Sequence, residues 1–389
     1  MKRLVALLIA LFLPFAAAAQ GIVSAADPRA AAAGVEILRK GGSATDAAIA
    51  TMLALNVVEP QSAGIGGGAF FVQFDAKRKV TTTVDGREAA PMAADSRWFY
   101  ADGRPLGIGE AIPGGRSVGV PGTLRAMAMA HARAGKLPWA DLFAPAIRLA
   151  RDGFAVSPRF STALTRFAPR ADAGIRGIFY DAAGKPLATV RNPEQAALFE
   201  RIAKYGPDSF YVGPQAAKLV ATVNNAARNP SKMTVGDLAA YAAKERPVLC
   251  GTYRRHKICS MGPSSSGGTA VLMILKQLER FDMAKLGKDS PVAWHLFAES
   301  SRLAYADRDM YLGDPDYIRE VVENQYQGVL AAHDNIKALR NTGARCGRRA
   351  HAFAAVPLAG IGELVKSSLR VRQFERRGGD HGGRSDGHR

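Results

Sequence analysis

Residues 61–75, Gln61-Ser62-Ala63-Gly64-Ile65-Gly66-Gly67-Gly68-Ala69-Phe70-Phe71-Val72-Gln73-Phe74-Asp75, set a glycine cluster directly before an aromatic and β-branched run. The order of elements around these glycines decides what kind of fold they belong to. A phosphate-binding loop follows a strand and opens a helix. Here an Ala/Ile/Leu-rich helical pattern comes first and the strand comes after. The glycines are therefore read as backbone packed tightly against a neighbour, and a nucleotide site is set aside.

Working upstream, residues 21–60 read as strand, helix, turn, helix. Asp27-Pro28 is a helix start, because Asp caps free backbone N–H groups and Pro suits the first turn. Gly41-Gly42 ends that helix, and Ser43 to Asp46 can start the next. The second helix is apolar almost all round, which implies burial on most sides.

Downstream, the β-branched run Val80-Thr81-Thr82-Thr83 reads as a strand that leads into V-D-G-R-E-A-A-P, residues 84–91. Three charged residues there sit at the end of a core strand, and Pro91 stops it. A Gly/Pro-rich stretch lies between Ile112 and Ala126. Helices are expected over Trp139–Asp152, Asn192–Gly206 and Pro214–Asn225, then a hairpin around Gly251. The turn Ser264-Ser265-Ser266-Gly267-Gly268 opens an apolar helix, and a long helix follows from Pro291. No internal repeat is present, and no linker precedes Asp316.

The chain has 389 residues, 48% hydrophobic and 22% charged, which is globular composition. Residues 1–19 have Lys2 and Arg3, an apolar run of about ten residues, and then small residues ending in Ala17-Ala18-Ala19. That is the layout of a secretory signal peptide, and the run is too short to span a bilayer. The mature protein is expected to be soluble and exported, periplasmic or secreted. An uncleaved anchor is the alternative.

Three cysteines are present. Export would permit a bridge between Cys250 and Cys259 across the hairpin, but the pair is read first as two small apolar strand residues. No Cys/His spacing marks a metal site. The net charge of +18 is not a nucleic-acid footprint, because residues 335–389 alone hold twelve Lys/Arg against four Asp/Glu. The body carries no basic face interleaved with aromatics. His131, His256 and His295 have no acid or nucleophile partner at a telling spacing.

Five blocks together resemble the γ-glutamyltranspeptidases, N-terminal nucleophile hydrolases that act on glutathione. They are G-G-S-A-T-D-A-A-I-A (41–50), G-I-G-G-G-A-F-F (64–71), D-G-R-E-A-A-P (85–91), G-P-S-S-S-G-G (262–268) and E-S-S-R-L-A-Y-A-D-R-D-M-Y-L-G-D-P-D (299–316). G-G-R-S-V-G-V-P-G-T (114–123) supports them. The resemblance runs from about Gly21 to Tyr317 and covers most of the family's large subunit. It implies an α/β fold, the four-layer αββα sandwich of the N-terminal nucleophile hydrolases. That sandwich is expected to be incomplete here, with the small-subunit strands missing and with exposed edges and apolar faces. The domains expected are a signal peptide (1–19), a large-subunit-like domain (20–320) and a degenerate tail (321–389).

The resemblance also implies site residues. In the family the arginine of this motif binds the α-carboxylate of the γ-glutamyl group, which gives that role to Arg87. Its planar fork of donors suits a carboxylate. Glu88 is expected to orient or neutralise it, and an ordinary Arg–Glu surface pair is the alternative. At Ser265, Ser266, Gly267 and Gly268, backbone N–H groups can hold an oxyanion or carboxylate. We read that turn first as a helix cap. Asp307-Arg308-Asp309, with Tyr305 and Tyr311, reads as an internal charge network.

The family's catalytic group is a threonine that becomes the N-terminus of the small subunit after self-cleavage, in the string T-x-H-x-S-V. Its hydroxyl forms an acyl-enzyme. No such string occurs here, so no catalytic residue is assigned and the chain as written is expected to be inactive. The implied substrates are glutathione and other γ-glutamyl compounds, with transfer to water, amino acids or peptides. The implied partner is a small subunit from the same precursor, with no nucleic acid, membrane, metal or cofactor. A cephalosporin-acylase-like enzyme and a non-catalytic fragment that binds γ-glutamyl ligands are the alternatives.

From about Arg345 onward neither helical nor strand periodicity is visible. The terminal R-R-G-G-D-H-G-G-R-S-D-G-H-R has the look of a GC-rich gene in the wrong frame. Read one nucleotide later, Leu364 to His381 can spell S-S-S-H-L-S-V-F-D-S-S-N-A-V-A-V-T-T. This carries the family's H-x-S-V and N-A-V-x-x-T-T in order, with Ser where the nucleophile is expected. A frameshift in the tail is therefore expected.

Overall fold

The computed structural model describes residues 21–317, so the expectations for the signal peptide and the tail lie outside the described residues. The chain divides into two compact units at Val248/Leu249.

In the first unit, α1 (Pro28–Arg39) and α2 (Ala44–Val58), joined by a short turn, pack against each other and both contribute to the main core. Local chemistry sets both starts. The Asp27 carboxylate accepts the Arg29 N–H at 2.8 Å. Ser43 and Asp46 form a reciprocal capping box, Asp46 N–H to Ser43 Oγ at 3.1 Å and Ser43 N–H to Asp46 Oδ2 at 2.8 Å. Each such cap is worth about 1 kcal/mol. As its composition implies, α2 is buried on most sides, through Ile49, Leu53, Val57 and Val58 among others. No strand precedes α1: residues 21–25 carry no ladder, contrary to the expectation from their sequence.

The strand after the glycines, β1 (Ala69–Asp75), pairs antiparallel with β2 (Val80–Gly86), with Phe71 opposite Val84 and Phe70 opposite Asp85. α3 (Thr123–Ala134) packs on this sheet, where Val84 and Ala126 form a small core with Phe71 and Met129 beside it. Val72 and Phe74 on the opposite face of β1 are exposed, and β1 is an edge among the described residues.

The main core continues through α4 (Ala144–Asp152) and α5 (Pro193–Tyr205) and includes Ala216 and Val223 of α6 (Gly213–Asn224). All three match the helices expected, except that Trp139–Phe143 before α4 is a 3-10 turn. Phe143 stacks edge-on against both Trp139 and Phe199. α7 (Val235–Ala240) ends at Tyr241, and β3 (Lys244–Arg246) then joins the sheet beside β2, giving the order β1-β2-β3.

In the second unit, β4 (Val248–Tyr253) and β5 (His256–Met261) form the expected hairpin. Its turn is at Arg254 and Arg255, with Arg254 at φ +52°, rather than at Gly251. Cys250 and Cys259 are joined by a disulfide, so the reading of two unpaired apolar strand residues is corrected. The hairpin is what brings two thiols nine positions apart face to face. α8 (Gly267–Leu278) packs against β5 and against α9 (Pro291–Tyr311). Among the described residues no helix is long and apolar enough to cross a membrane.

Candidate active site

Three of the blocks meet at the end of β2. Val84 points into the small core, and Asp85 is the last charged residue of the strand and is buried. Its Oδ1 accepts the Arg87 N–H at 2.9 Å, and its Oδ2 accepts the Arg246 Nε–H at 3.0 Å. The register that sets Lys244 opposite Asp85 and Arg246 opposite Thr83 makes the second contact possible. Arg87 itself lies just past the strand, and its side chain is exposed.

The chain then makes a single antiparallel bridge to residues 118–123. Ala89 N–H donates to the Val120 carbonyl at 3.2 Å, and Val120 N–H returns to the Ala89 carbonyl at 2.7 Å. The Gly122 and Thr123 N–H groups donate to the Gly67 carbonyl at 2.9 and 3.1 Å. The glycine cluster, the Arg87 loop and the start of α3 are thus one hydrogen-bonded assembly. The reading of the glycines as tightly packed backbone holds for Gly67 and Gly68 but not for Gly64 and Gly66, where an added Cβ would meet nothing nearer than 3.9 Å.

Close approach explains why glycine stands at position 68. A Cβ there would sit 2.6 Å from Glu88 Oε2, 2.8 Å from the Gly86 carbonyl and 2.9 Å from Arg87 Cα. The Glu88 carboxylate therefore lies against the bare backbone of Gly67 and Gly68, beside the Arg87 loop.

Sequence reasoning overlooked Tyr241. Its hydroxyl donates to the Arg87 carbonyl at 2.6 Å from 154 positions away. Burial first, then the charge of Asp85 and lesser contributions from Tyr211 and Glu88, hold this phenol well above the ordinary tyrosine range. It stays a donor at any physiological pH. No local signal marks it. Only the passage from α7 into β3 carries it to the site.

In the second unit, α8 starts at Gly267, as the sequence implied. Ser266 occupies the N-cap position without a side-chain bond to the helix, while Ser265 Oγ accepts the Gly267 N–H at 3.4 Å. Ser266 Oγ instead accepts the Arg308 Nε–H at 3.3 Å. Arg308 also pairs with Asp309 at 2.6 Å, and both are exposed, so this part of the charge network is a surface feature rather than an internal one. His131 is not isolated either. Its Nε2 lies 2.8 Å from the Leu137 carbonyl and 3.7 Å from Asp46 Oδ1.

Residues 30–345 match the gamma-glutamyltranspeptidase family. The chain belongs to that family. The glutathione hydrolase proenzyme of Escherichia coli (strain K12) is 37% identical over 308 residues, which are 78% of this chain and 52% of that protein. The crystal structure of the Helicobacter pylori γ-glutamyltranspeptidase superposes with a TM-score of 0.73 at 30% identity, covering 80% of this chain and 91% of that one. A cephalosporin acylase from Bacillus halodurans superposes with a TM-score of 0.68 at 28% identity, covering 77% of this chain and 57% of that one. The chain spans about half the length of the curated relatives it matches. Its fold class is that of the γ-glutamyltranspeptidases and related acylases, the α/β fold of the N-terminal nucleophile hydrolases.

Proposed function

We propose that this chain carries the γ-glutamyl-binding part of an exported γ-glutamyltransferase, a glutathione hydrolase of the periplasm or the cell exterior. One observation carries the reading: the Arg87 side chain is exposed, while its main-chain N–H and carbonyl are both held by side chains. A guanidinium on so fixed a base suits the bidentate capture of one carboxylate, and the α-carboxylate of a γ-glutamyl group is that ligand. Glu88 lies beside it.

In this reading the γ-glutamyl amide of glutathione is attacked by the hydroxyl of an N-terminal threonine. The acyl-enzyme then passes its acyl group to water, an amino acid or a peptide. These 389 residues hold no T-x-H-x-S-V string. The reading therefore gives this chain the binding of substrate and assigns the nucleophile to a small subunit of the same precursor. The word proenzyme in the name of the Escherichia coli relative supports that assignment. The tail is read as out of frame, and resequencing the codons for Asp316 to Arg389 tests it.

Calorimetric titration of the full chain checks the binding role, with glutathione and with its 4-aminobutyryl analogue, which lacks the α-carboxylate. Glutathione is expected to bind at least about tenfold more tightly. Equal binding overturns the clamp. Release from γ-glutamyl-p-nitroanilide, or self-cleavage into two bands, overturns the assignment of the chemistry to another segment. A second reading, an acylase, draws support from the likeness to the Bacillus halodurans enzyme. It predicts tighter binding of acyl donors without an α-carboxylate.

A further inference from the structure

The Arg87 peptide is held from two directions. Asp85, two residues away, takes its N–H at 2.9 Å. Tyr241 gives a hydrogen bond to its carbonyl at 2.6 Å. The first contact is local, of the kind an Asx turn makes. The second is long-range, and the surrounding structure is built to hold it.

The Tyr241 ring stacks on Tyr211, with centroids 6.3 Å apart and planes at 11°. Tyr211 is itself fixed, because its hydroxyl donates to the Pro121 carbonyl at 2.9 Å and the Arg125 guanidinium lies 4.4 Å from its ring centroid. Arg125 in turn pairs with Asp208 at 2.5 Å. Gly122 leaves the hydroxyl its space: a Cβ there would fall 2.1 Å from Tyr241 Oη and 2.2 Å from the Gly86 carbonyl. β3 fixes the other side of Tyr241 by pairing Lys244 with Asp85.

The carbonyl in question belongs to the peptide unit between Arg87 and Glu88. With the N–H of Arg87 held by Asp85 and its carbonyl by Tyr241, the peptide planes on both sides of its Cα are fixed, and with them the direction in which its side chain leaves the main chain. We propose that Tyr241 is a positioning residue for the γ-glutamyl site, its hydroxyl orienting the Arg87–Glu88 peptide so that the guanidinium meets the substrate α-carboxylate. This rests on the reading of Arg87 as the carboxylate clamp. Tyr241 touches no substrate in this scheme; it acts through Arg87. Its raised phenol means that the donor is not lost by ionisation.

The test uses the full 389-residue chain and three variants, Y241F, Y180F and R87A, titrated calorimetrically with glutathione and with its 4-aminobutyryl analogue. Each variant's thermal midpoint is recorded alongside. Y241F keeps the ring and its stacking and loses only the hydroxyl. It is expected to weaken glutathione binding about tenfold while leaving the analogue nearly unchanged, because a misplaced clamp costs only the ligand that uses it. Y180F removes a buried hydroxyl of the first unit that takes no part in this stack and donates to the Leu164 carbonyl at 2.6 Å. It is expected to lower the midpoint and to leave the preference for glutathione intact.

If R87A loses the preference while Y241F keeps it, the positioning role is overturned and the clamp stands. If Y241F and Y180F lower stability and binding alike, Tyr241 is only a structural residue and the proposal fails. If R87A, or the unmodified chain, shows no preference for glutathione, the clamp itself falls and the positioning role falls with it.

Discussion

Asp85 and Arg246 form an ion pair, Nε to Oδ2 at 3.0 Å, with side chains only 7% and 14% exposed. Such a pair adds little net stability over an apolar one, but removing one member of it is costly. Asp85→Ala is expected to destabilise the chain by about 2 to 3 kcal/mol, somewhat below the fully buried case because Arg246 keeps some access to water. It also releases the Arg87 N–H. Urea unfolding measures the first effect, and glutathione titration above the concentration range of the wild type measures the second. A variant as stable as the wild type would remove Asp85 as the anchor of this strand end.

Arg87 separates charge from geometry. Arg87→Lys keeps a cation but replaces the planar fork with a point charge, so it is expected to bind glutathione about tenfold more weakly than the wild type. Arg87→Ala removes both and is expected to cost up to about a hundredfold, the upper range for a charged hydrogen bond. Because the side chain is exposed, each variant is expected to shift stability by no more than about 0.5 kcal/mol. If lysine binds as well as arginine, charge alone accounts for the site.

Gly68→Ala tests the close approach of the glycine backbone. The added methyl meets not only the movable Glu88 carboxylate but the Gly86 carbonyl and Arg87 Cα at under 3 Å. Backbone cannot yield as a side chain does, so a loss of about 1 to 3 kcal/mol is expected. Calorimetric unfolding reads it directly. Gly66→Ala is the matched control, since a Cβ at Gly66 meets nothing within 4 Å.

The parts of the fold that were legible in the sequence are those whose cause is local. Asp27-Pro28 and Ser43 to Asp46 mark helix starts because a side chain within three residues satisfies the free N–H groups. The order of Gly64 to Gly68 and β1 excluded a phosphate loop without any tertiary information. Residues 21–25, by contrast, have a strand-like composition but pair with no strand among the described residues, and propensity cannot supply a partner. Arg87 stood out only through the family resemblance. Tyr241 could not be found that way, because its role exists only once β3 has docked beside β2. The disulfide was open for a similar reason: the hairpin turn, not the spacing of the cysteines, decides whether the thiols meet.

The Asp46 carboxylate ties the start of α2 to the loop after α3. Its Oδ2 accepts N–H groups from Ser43, Lys136 and Leu137, at 2.8, 2.9 and 3.2 Å. Burial opposes its ionisation, but these donors outweigh burial and hold it below its ordinary value of 3.8. The folded state thus favours the ionised form. The resulting stability is fully present above the unfolded value and is lost as pH falls through 3.8 toward the lower folded one. Unfolding free energy is therefore expected to fall between pH 5 and pH 3, and Asp46→Asn is expected to make that fall shallower. The slope will not vanish, because Asp27 and Asp237 are also lowered by hydrogen bonds and act in the same sense. An unchanged slope in the variant would show that Asp46 is not a source of it.

Thiol counting tests the hairpin bridge. The chain has three cysteines, and Cys250 and Cys259 are bonded to each other. Denatured without reductant, the chain is expected to react with one equivalent of a thiol reagent, at Cys346, and with three after reduction. The bridge constrains the unfolded hairpin, so Cys250→Ser with Cys259→Ser is expected to cost about 2 kcal/mol in the second unit. Three reactive thiols in the unreduced, denatured chain would mean that β4 and β5 are held by their backbone ladder alone.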